Sequence, residues 1–333
     1  MTQPCADDDA TAAQARGRGA HTAAYAQRMN KVLDHIDAHL DGELDLAALA
    51  DVAHFSRFHF HRLFMAWMGE TLGDYLRRRR LESAAVRLAA NASLSVLEVA
   101  VAVGFGSGEA FARAFKLRFG QTPTAWRAGS PERWAADLQS MRWGLAHRNP
   151  DQALRNPDQS PQDAVADDAG IPPTELPMNV TIKTLPPARM AYLRHIGPYG
   201  DAVSKFWLQT MLPWLLANGL EKAPRYGIGL DDPYVTAPEN CRYDAGVDIP
   251  DDFVARNPAG IQTLPGGRYA VAEFEGTVDD ITAAWTQLMR HWLPASGLQA
   301  DDRPFYEYYP ADARYDPDKG TFQCWLCLAV RAG

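Results

Sequence analysis

The residue best placed to do chemistry in this chain is Glu307, a single carboxylate in an aromatic run. It stands among Phe305, Tyr306, Tyr308 and Tyr309, in a segment that we interpret as a strand. A carboxylate belongs among aromatic rings only when it is exposed or when it serves a ligand. A lipophilic cation would gain both a charge partner and cation–π contacts there. Glu307 is therefore the first candidate for a ligand-binding residue, and a surface or structural role is the alternative.

Further aromatic residues in the same half of the chain could line a cleft around Glu307. Each of them taken alone could equally be part of a hydrophobic core. The candidates for effector binding, besides Glu307, are Tyr192, Trp207, Trp214, Tyr226, Trp285, Trp292 and Tyr308.

Other reactive residue types do not form a recognisable catalytic or metal site. Cys324 and Cys327 have the spacing of a redox pair, but they lie in an apolar run that reads as a strand. Their thiols would lie on opposite faces, about 10 Å apart. His35 and His39 are one helical turn apart, without an evident acidic third ligand. The sequence has no Gly-rich phosphate loop, nucleophile elbow or His-Glu-x-x-His motif, so we predict no catalytic residue, no metal and no cofactor.

A second kind of chemistry is indicated by a pattern that occurs twice, about fifty residues apart. The two copies are Phe55 to Phe64 and Phe105 to Phe115, and each follows a short apolar helix and a bend. One or two residues after its first phenylalanine, each copy has a serine that can cap a helix. This is the organisation of two helix-turn-helix units, which can contact DNA from one polypeptide. The outward-facing candidates for DNA binding are Arg57, Phe58, His61, Arg62, Gly108, Glu109, Arg113 and Lys116. For any one of these residues taken alone, the alternative to a DNA-binding role is that it is an ordinary solvated side chain on the helix surface.

Charge and composition divide the chain into four parts. The net charge is −8, yet residues 51–130 carry 11 Lys/Arg against 6 Asp/Glu, whereas residues 171–333 carry 14 against 20. A basic segment joined to an acidic one suggests a nucleic-acid-binding domain tethered to another domain. We predict a disordered tail at 1–20, a DNA-binding domain at 21–130, a polar linker at 131–177 and a ligand-binding domain at 178–333. The last part repeats itself at a spacing of 78 or 79 residues, as Leu185-Pro186 and Leu264-Pro265 do.

Residues 25–127 resemble the AraC/XylS family of transcription regulators. The resemblance rests on segments such as His59-Phe60-His61-Arg62-Leu63-Phe64 and Phe111-Ala112-Arg113-Ala114-Phe115-Lys116, and on the closing segment 119–127. It implies seven helices, with two recognition helices that enter successive major grooves of bent DNA. Gly108 and Ala110 depart from many members, which have hydrogen-bonding side chains there. We therefore expect the first unit to read more of the DNA sequence.

Residues 178–333 resemble the GyrI-like small-molecule-binding domain. The matching segments include Arg194 to Tyr199, Arg242 to Val247, Gly266 to Ala270 and Phe305 to Tyr309. The resemblance implies two pseudo-twofold sheet–helix modules around an aromatic cleft with a buried glutamate. Some relatives are hydrolases, so Glu307 with Tyr192 or Tyr226 could activate water.

The fold prediction is thus an all-α double helix-turn-helix domain followed by an α+β domain of two pseudo-twofold modules. We expect a cytoplasmic regulator that binds promoter DNA, a lipophilic and possibly cationic effector, and RNA polymerase, with no membrane partner. A hydrolase and a protein-binding inhibitory module are the alternatives. The long polar linker argues against rigid coupling of the domains, and Arg77 to Arg80 are expected mainly to solubilise the chain.

Overall fold

The computed structural model describes residues 6–90, 93–129, 178–256, 258–301 and 303–332. Its N-terminal half is helical and its C-terminal half is strand-rich, as the sequence predicts. The first half contains helices α1 Ala6–Ala38, α2 Leu46–Val52, α3 Arg57–Met68, α4 Leu72–Ala90, α5 Val96–Ala102, α6 Gly108–Phe119 and α7 at 123–129. The predicted linker 131–177 lies outside the described residues.

The two copies of the sequence pattern have the same backbone conformation at the bend between their helices. In the bend before α3, the Phe55 N–H donates to the Ala50 carbonyl, and before α6 the Phe105 N–H donates to the Ala100 carbonyl, both at 2.9 Å. The residue preceding each phenylalanine has a positive φ, 53° at His54 and 81° at Gly104. A left-handed residue at this position turns the chain sharply enough to cross the two helices of each unit.

The helix starts follow the predicted serines. Ser95 forms a full capping box with Glu98, and the Ser107 hydroxyl accepts from the Ala110 N–H. Ser56 occupies the N-cap position of α3, but its side chain makes no capping hydrogen bond. The start of α3 was therefore predicted at the right residue, although the hydroxyl does not contribute as expected.

Helix α1 begins at Ala6, within the stretch for which the sequence predicts a disordered tail. Residues 6–20 therefore continue the helix that packs into the first core. Alanine is frequent in this stretch, and alanine has the highest helix propensity. The disorder prediction rests on a composition rich in alanine, aspartate, arginine and glycine and on the absence of a helical period.

The C-terminal half is built on a single sheet with two short flanking strands. Its main strands follow the order β1-β6-β10-β8-β3-β4-β2-β5, and all the pairings are antiparallel. The strands are β1 Val180–Leu185, β2 Ala188–Ile196, β3 Arg225–Gly229, β4 Arg242–Asp248, β5 Gly260–Leu264, β6 Gly267–Gly276, β7 Leu298–Ala300, β8 Tyr306–Tyr309, β9 Tyr315–Asp316 and β10 Thr321–Ala332. β3 and β8 meet at the centre of the sheet.

Two helical segments cover one face of this sheet. The first runs through α8 Asp201–Phe206, a π-helical turn Trp207–Met211 and α9 Leu212–Asn218. The second runs through α10 Val278–Gln287, a π-helical turn Leu288–Trp292 and α11 Leu293–Ala295. In both segments a proline is the second residue after the π turn. A proline there has no N–H to donate into the preceding turn, which favours the widened winding.

The cysteine prediction is confirmed. Cys324 and Cys327 both lie on β10, are buried and are free thiols. Cys324 packs into the core beneath the helices, and Cys327 packs into the core on the opposite face of the sheet.

Candidate DNA-facing helices and effector cleft

Helix α3 presents one apolar and one polar face. Phe60 and Phe64 are fully buried and pack against Tyr75 of α4. Arg57, His61 and Arg62 are exposed, as predicted from the helical period. The side chain of Phe58 lies outside what the structure describes. The α3 surface therefore offers a guanidinium pair and an imidazole to a partner.

Helix α6 repeats this arrangement with fewer polar groups. Phe111 and Phe115 are fully buried, whereas the predicted contact residues Glu109, Arg113 and Lys116 are exposed. Gly108 is half-buried, and a Cβ there would lie 3.4 Å from Leu97. The α6 surface therefore has no side chain where α3 has Arg57.

Arg78, Arg79 and Arg80 of the run on α4 make structural contacts, which corrects for these three the expectation that the run mainly solubilises the chain, whereas Arg77 is exposed. Arg78 forms ion pairs with Glu70 at 2.6 Å and with Glu82 at 3.0 Å. Arg80 donates to the Leu40 carbonyl at 2.9 Å and to the Gly42 carbonyl at 2.7 Å. These contacts tie α4 to the bend that follows α3 and to the bend that follows α1.

Arg79 of the same run reaches into the C-terminal half. It pairs with Asp231, and its side chain is only 11% exposed. The sequence contained no signal for this contact, because its partner is 152 residues away.

Glu307 lies in β8 on the face of the sheet that the helices cover. Its Oε2 accepts from the Tyr309 hydroxyl at 2.9 Å and from the Tyr243 hydroxyl at 3.1 Å. Its Oε1 accepts from Trp285 Nε1 at 3.3 Å. Three donors therefore converge on one carboxylate from β4, β8 and α10.

Aromatic side chains from the sheet and from both helical segments surround Glu307, and we refer to this candidate site as the cleft. The Trp207 Nε1 donates to the Tyr243 hydroxyl at 3.2 Å, and the rings of Trp207 and Tyr309 lie 6.0 Å apart. On the other side, Phe305 is exposed and its ring lies 5.3 Å from that of Trp285. Glu307 itself is half-buried. Aromatic rings thus surround the carboxylate, and the residue as a whole is partly exposed.

Gly227 forms the floor of this cleft on β3. A Cβ at this position would collide with the Tyr243 hydroxyl and with Glu307 Oε2. Only glycine leaves room for the carboxylate to lie flat against the sheet.

The charge of Glu307 is poorly compensated. Burial raises its pKa above the usual 4.5, although the hydrogen bonds from Tyr309, Trp285 and Tyr243 lower it in part. Within the described residues, no lysine or arginine forms an ion pair with Glu307. A ligand that brings a positive charge would therefore relieve the cost of burying this carboxylate.

The structure brings only some of the predicted effector residues together. Trp207 and Trp285 line the cleft with Glu307. Trp214 packs on Phe253 at a ring distance of 6.3 Å, and Trp292 packs onto the core beneath α10. Both belong to the helical segments, where they hold the helices to the sheet.

Three predicted tyrosines lie on the opposite face of the sheet. The rings of Tyr226 and Tyr308 pack in a tilted arrangement at a distance of 5.5 Å, and the Tyr226 hydroxyl donates to Asp248 at 2.9 Å. Tyr192 donates to Asp34 of α1. These positions alternate with those facing the cleft, so the pleat separates them from Glu307.

Sequence reasoning missed Tyr243, Tyr309 and Gly227. Two of them carried a signal in the sequence, because Tyr309 is two residues from Glu307 and Tyr243 alternates with charged neighbours in β4. Gly227 could be recognised only from the strand pairing of Gly227 with Glu307.

His35, in the last turn of α1, and His39, just beyond that helix, stack on each other at a ring distance of 4.2 Å. Across the described parts of the chain, no group of three or more His, Cys, Asp and Glu side chains is arranged to hold a metal ion. None of the helices in those parts is both long and apolar enough to span a membrane.

Comparisons with known proteins match both halves. The GyrI-like small molecule binding domain matches residues 178–331, and a helix-turn-helix domain matches residues 49–129. The SPbeta prophage-derived protein YosT of Bacillus subtilis (strain 168), which carries a transcriptional-regulator name, is 35% identical over 133 residues. That match covers 40% of this chain and 89% of YosT.

The chain belongs to the GyrI-like family. It combines this domain with an AraC-type helix-turn-helix domain, which makes it a DNA-binding transcriptional regulator with a small-molecule-binding domain. This GyrI-like regulator is also 41% identical over 101 residues to the right origin-binding protein of Escherichia coli (strain K12), across 30% of this chain and 34% of that protein. The DNA gyrase inhibitor of Serratia proteamaculans (strain 568) is 29% identical over 160 residues, across 47% of this chain and all of the inhibitor. The names of these relatives are those of a transcriptional regulator, an origin-binding protein and an inhibitor.

Proposed function

We propose that the chain regulates transcription by binding promoter DNA through α3 and α6 and a lipophilic cation through the cleft at Glu307. The observation that carries the second part is the hydrogen-bonded, half-buried carboxylate without a cationic partner in the described residues. Three donors favour the ionised form, and the rings of Trp207, Trp285 and Tyr309 offer π faces. A cation gains charge pairing, cation–π contact and apolar burial in one place.

A pair of ligands that differ only in charge tests this proposal. Tetraphenylphosphonium and tetraphenylborate have nearly the same shape and opposite charge. We expect calorimetric titration of the full chain to show binding of the phosphonium and none of the borate. Binding of both ions with similar affinity would mean that the cleft selects apolar shape rather than charge.

The matching variant is Glu307→Gln, which keeps the size and the hydrogen-bond acceptor but removes the charge. It should lose about tenfold or more in affinity for the phosphonium, since a desolvated charge pair contributes more than 1.4 kcal/mol. Glu275→Gln is the control, because Glu275 is an exposed β6 residue paired with Arg314 at 3.1 Å. Unchanged binding in Glu307→Gln would reject the carboxylate as the charge partner.

We further propose that the cleft arises between two pseudo-twofold modules. The strand order supports this, since β1-β6-β10-β8 on one side corresponds to β5-β2-β4-β3 on the other. Each half also contributes one helical segment with a π turn followed by proline. The central β3–β8 pair, where Gly227 faces Glu307, lies where the axis would pass.

On the DNA side, we propose that Arg57, His61 and Arg62 of α3 contact bases or phosphates, with Phe58 adjacent to them. On α6, Glu109, Arg113 and Lys116 take this role, and Gly108 permits close approach of the backbone. Their exposure on duplicated helices supports this assignment. Contact with RNA polymerase stays a prediction.

A second candidate function is inhibition of a protein partner. It is favoured by the likeness of the C-terminal half to a DNA gyrase inhibitor along that protein's whole length. A supercoiling assay with purified DNA gyrase and the full chain distinguishes the two. Inhibition at equimolar chain would support the inhibitory role, and full supercoiling activity at excess chain would exclude it for gyrase.

A further inference from the structure

Strand β4 is shared between the effector cleft and the contact with the DNA-binding half. Tyr243 faces the helices and donates to Glu307 at 3.1 Å. Its neighbours Arg242 and Asp244 lie on the opposite face, because side chains alternate along a strand. Both neighbours belong to ion-pair clusters that include an aspartate of α1. A single strand therefore touches the candidate ligand site with one side and the DNA-binding half with the other.

Arg242 is the centre of the first cluster. Its Nε donates to Asp231 Oδ2 at 2.9 Å and its Nη1 donates to Asp37 Oδ2 at 2.7 Å. Nη1 also donates to the Tyr75 hydroxyl of α4 at 3.3 Å. The Arg242 side chain is only 1% exposed, whereas that of Asp37 is 29% exposed. The guanidinium is therefore buried between the two halves, and Asp37 closes the edge of the contact.

Arg194 forms a second cluster on the same face of the sheet. It pairs with Asp244 of β4 at 2.7 Å and with Asp34 of α1 at 2.8 Å. Asp34 also accepts from the Tyr192 hydroxyl. Asp34 and Asp37 are three residues apart, so they lie on one face of α1. Two buried arginines of the sheet, Arg194 and Arg242, thus form ion pairs with one face of α1.

The first cluster continues to a recognition helix. Asp231 pairs with Arg79 of α4, and Arg79 pairs with Glu82 at 3.3 Å. Glu82 in turn lies 3.6 Å from the guanidinium of Arg118 in α6. Charges of alternating sign therefore run without a break from β4 through α4 to α6.

A second connection joins the cleft to Asp231. The ring of Tyr199 packs edge-on against that of Tyr243, at 6.2 Å. The Tyr199 hydroxyl donates to the Arg242 carbonyl at 2.7 Å and accepts from the Asp231 N–H at 3.2 Å. Displacement of Tyr243 would therefore disturb Asp231, which pairs with Arg79, and Arg242, which pairs with Asp231.

We infer that this dock, formed by Arg242, Arg194, Asp231, Asp34, Asp37 and Arg79, couples the effector cleft to the DNA-binding helices. A ligand that displaces the Tyr243 hydroxyl from Glu307 shifts β4 and with it the ion pairs that set α1 and α4. Such coupling requires only that the ligand have different affinities for the protein with β4 and its ion pairs in their original and in their shifted positions. This route does not depend on a rigid linker, because the signal would pass through the dock. The inference rests on the proposed function in taking the Glu307 ligand as the signal.

Reciprocity provides the first test, since a change in the dock must alter binding in the cleft. Calorimetry compares tetraphenylphosphonium binding to the full chain, to Asp37→Asn and to Asp41→Asn. Asp37→Asn removes the negative charge between Arg242 and Arg79. The substitution hardly changes the size of the side chain, and the side chain of Asp37 is partly exposed. Asp41 is exposed just beyond α1 and serves as the matched control.

We expect Asp37→Asn to change the Kd of the phosphonium about fivefold or more, while Asp41→Asn leaves it unaltered. If Asp37→Asn and the unaltered chain bound the phosphonium with equal affinity, the coupling would be overturned, although phosphonium binding itself would remain established. Absence of phosphonium binding in the unaltered chain would instead reject the proposed ligand class.

Hydrogen exchange tests the coupling without any ligand. The reporting peptides cover Trp207–Met211, on the face of the sheet away from α1, and strand β8 Tyr306–Tyr309, which carries Glu307. In Asp37→Asn, we expect their amides to exchange about fivefold faster than in the unaltered chain or Asp41→Asn. Unchanged exchange in both peptides would overturn the inference, whatever the outcome of the ligand experiment.

Discussion

Arg242 and Tyr243 are consecutive in β4, and their side chains leave the sheet in opposite directions. The Tyr243 hydroxyl donates to Glu307 in the cleft, and the Arg242 guanidinium pairs with Asp37 of α1 at 2.7 Å. The effector domain therefore has no layer between its ligand site and its contact with the DNA-binding domain. One strand serves both.

Removal of the Arg242 guanidinium should be strongly destabilising. Arg242→Met leaves Asp231, which is fully buried, without its principal charge partner. Breaking a buried ion pair from one side costs about 3–5 kcal/mol in unfolding free energy, because the remaining charge is desolvated. Urea unfolding of the full chain measures this loss.

Arg314→Met is the control for the Arg242 substitution. Arg314 also pairs with a carboxylate, Glu275, but their side chains are 74% and 58% exposed. We expect a change within about 1 kcal/mol, as for other surface pairs. Similar losses in the two variants would show that Arg242 contributes no more than a surface charge.

Gly227→Ala should damage the effector cleft. The new Cβ would collide with the Tyr243 hydroxyl and Glu307 Oε2, so the carboxylate must move from its donors. We expect tetraphenylphosphonium affinity to fall about tenfold or more in calorimetry, the loss expected when a charge-assisted contact is misplaced.

Gly229→Ala on the same strand and face provides the comparison. Its Cβ would lie 3.5 Å from the Tyr199 hydroxyl, which is an ordinary contact. Phosphonium affinity should therefore remain within about twofold of the unaltered chain. A larger loss in Gly229→Ala than in Gly227→Ala would argue against Gly227 as the floor of the site.

Local patterns predicted most of the elements but only part of the cleft. The apolar run Phe322 to Val330 correctly indicated a strand, now β10, and the serines correctly marked the starts of α5 and α6. Glu307 was found because a charge among aromatic rings is conspicuous. The choice of Tyr308 over Tyr309 as its companion ignored the two-residue period of a strand.

The remaining errors concern contacts between residues far apart in the chain. Arg79 looked like a solvated charge because its partner Asp231 follows 152 residues later. Tyr192 looked like a ligand contact, although its hydroxyl faces Asp34 across the domain contact. Neither pairing has a local signature, so a single sequence could not reveal the dock.

Binding of a cation in the cleft should depend on pH through Glu307. Burial raises the pKa of this carboxyl above 4.5, so the neutral form persists to higher pH than in an exposed glutamate. The affinity for tetraphenylphosphonium should therefore increase as pH rises through this raised pKa and level off above it. Calorimetry across pH 4.5 to 8 should show no such increase in Glu307→Gln. An equal increase in that variant would assign the titration to another group.

The two recognition helices should contribute unequally to DNA sequence readout. Arg62 of α3 and Arg113 of α6 are equivalent and exposed, but α3 adds Arg57 and His61 where α6 has Gly108 and Ala112. Base-edge hydrogen bonds supply specificity, whereas phosphate contacts supply salt-dependent affinity. Base substitutions in the half-site of α3 should therefore cost more affinity than those in the half-site of α6.

A duplex selected from random DNA by the full chain makes this measurable. We expect the double variant Arg62→Ala, Arg113→Ala to lose specific DNA binding. The slope of the logarithm of affinity against the logarithm of salt concentration should also become less steep, by about one for each phosphate contact removed. Arg314→Ala, in the effector domain, should bind like the unaltered chain. Equal penalties for base substitutions in both half-sites would reject the unequal readout, while retained affinity in the double variant would reject these arginines as DNA contacts.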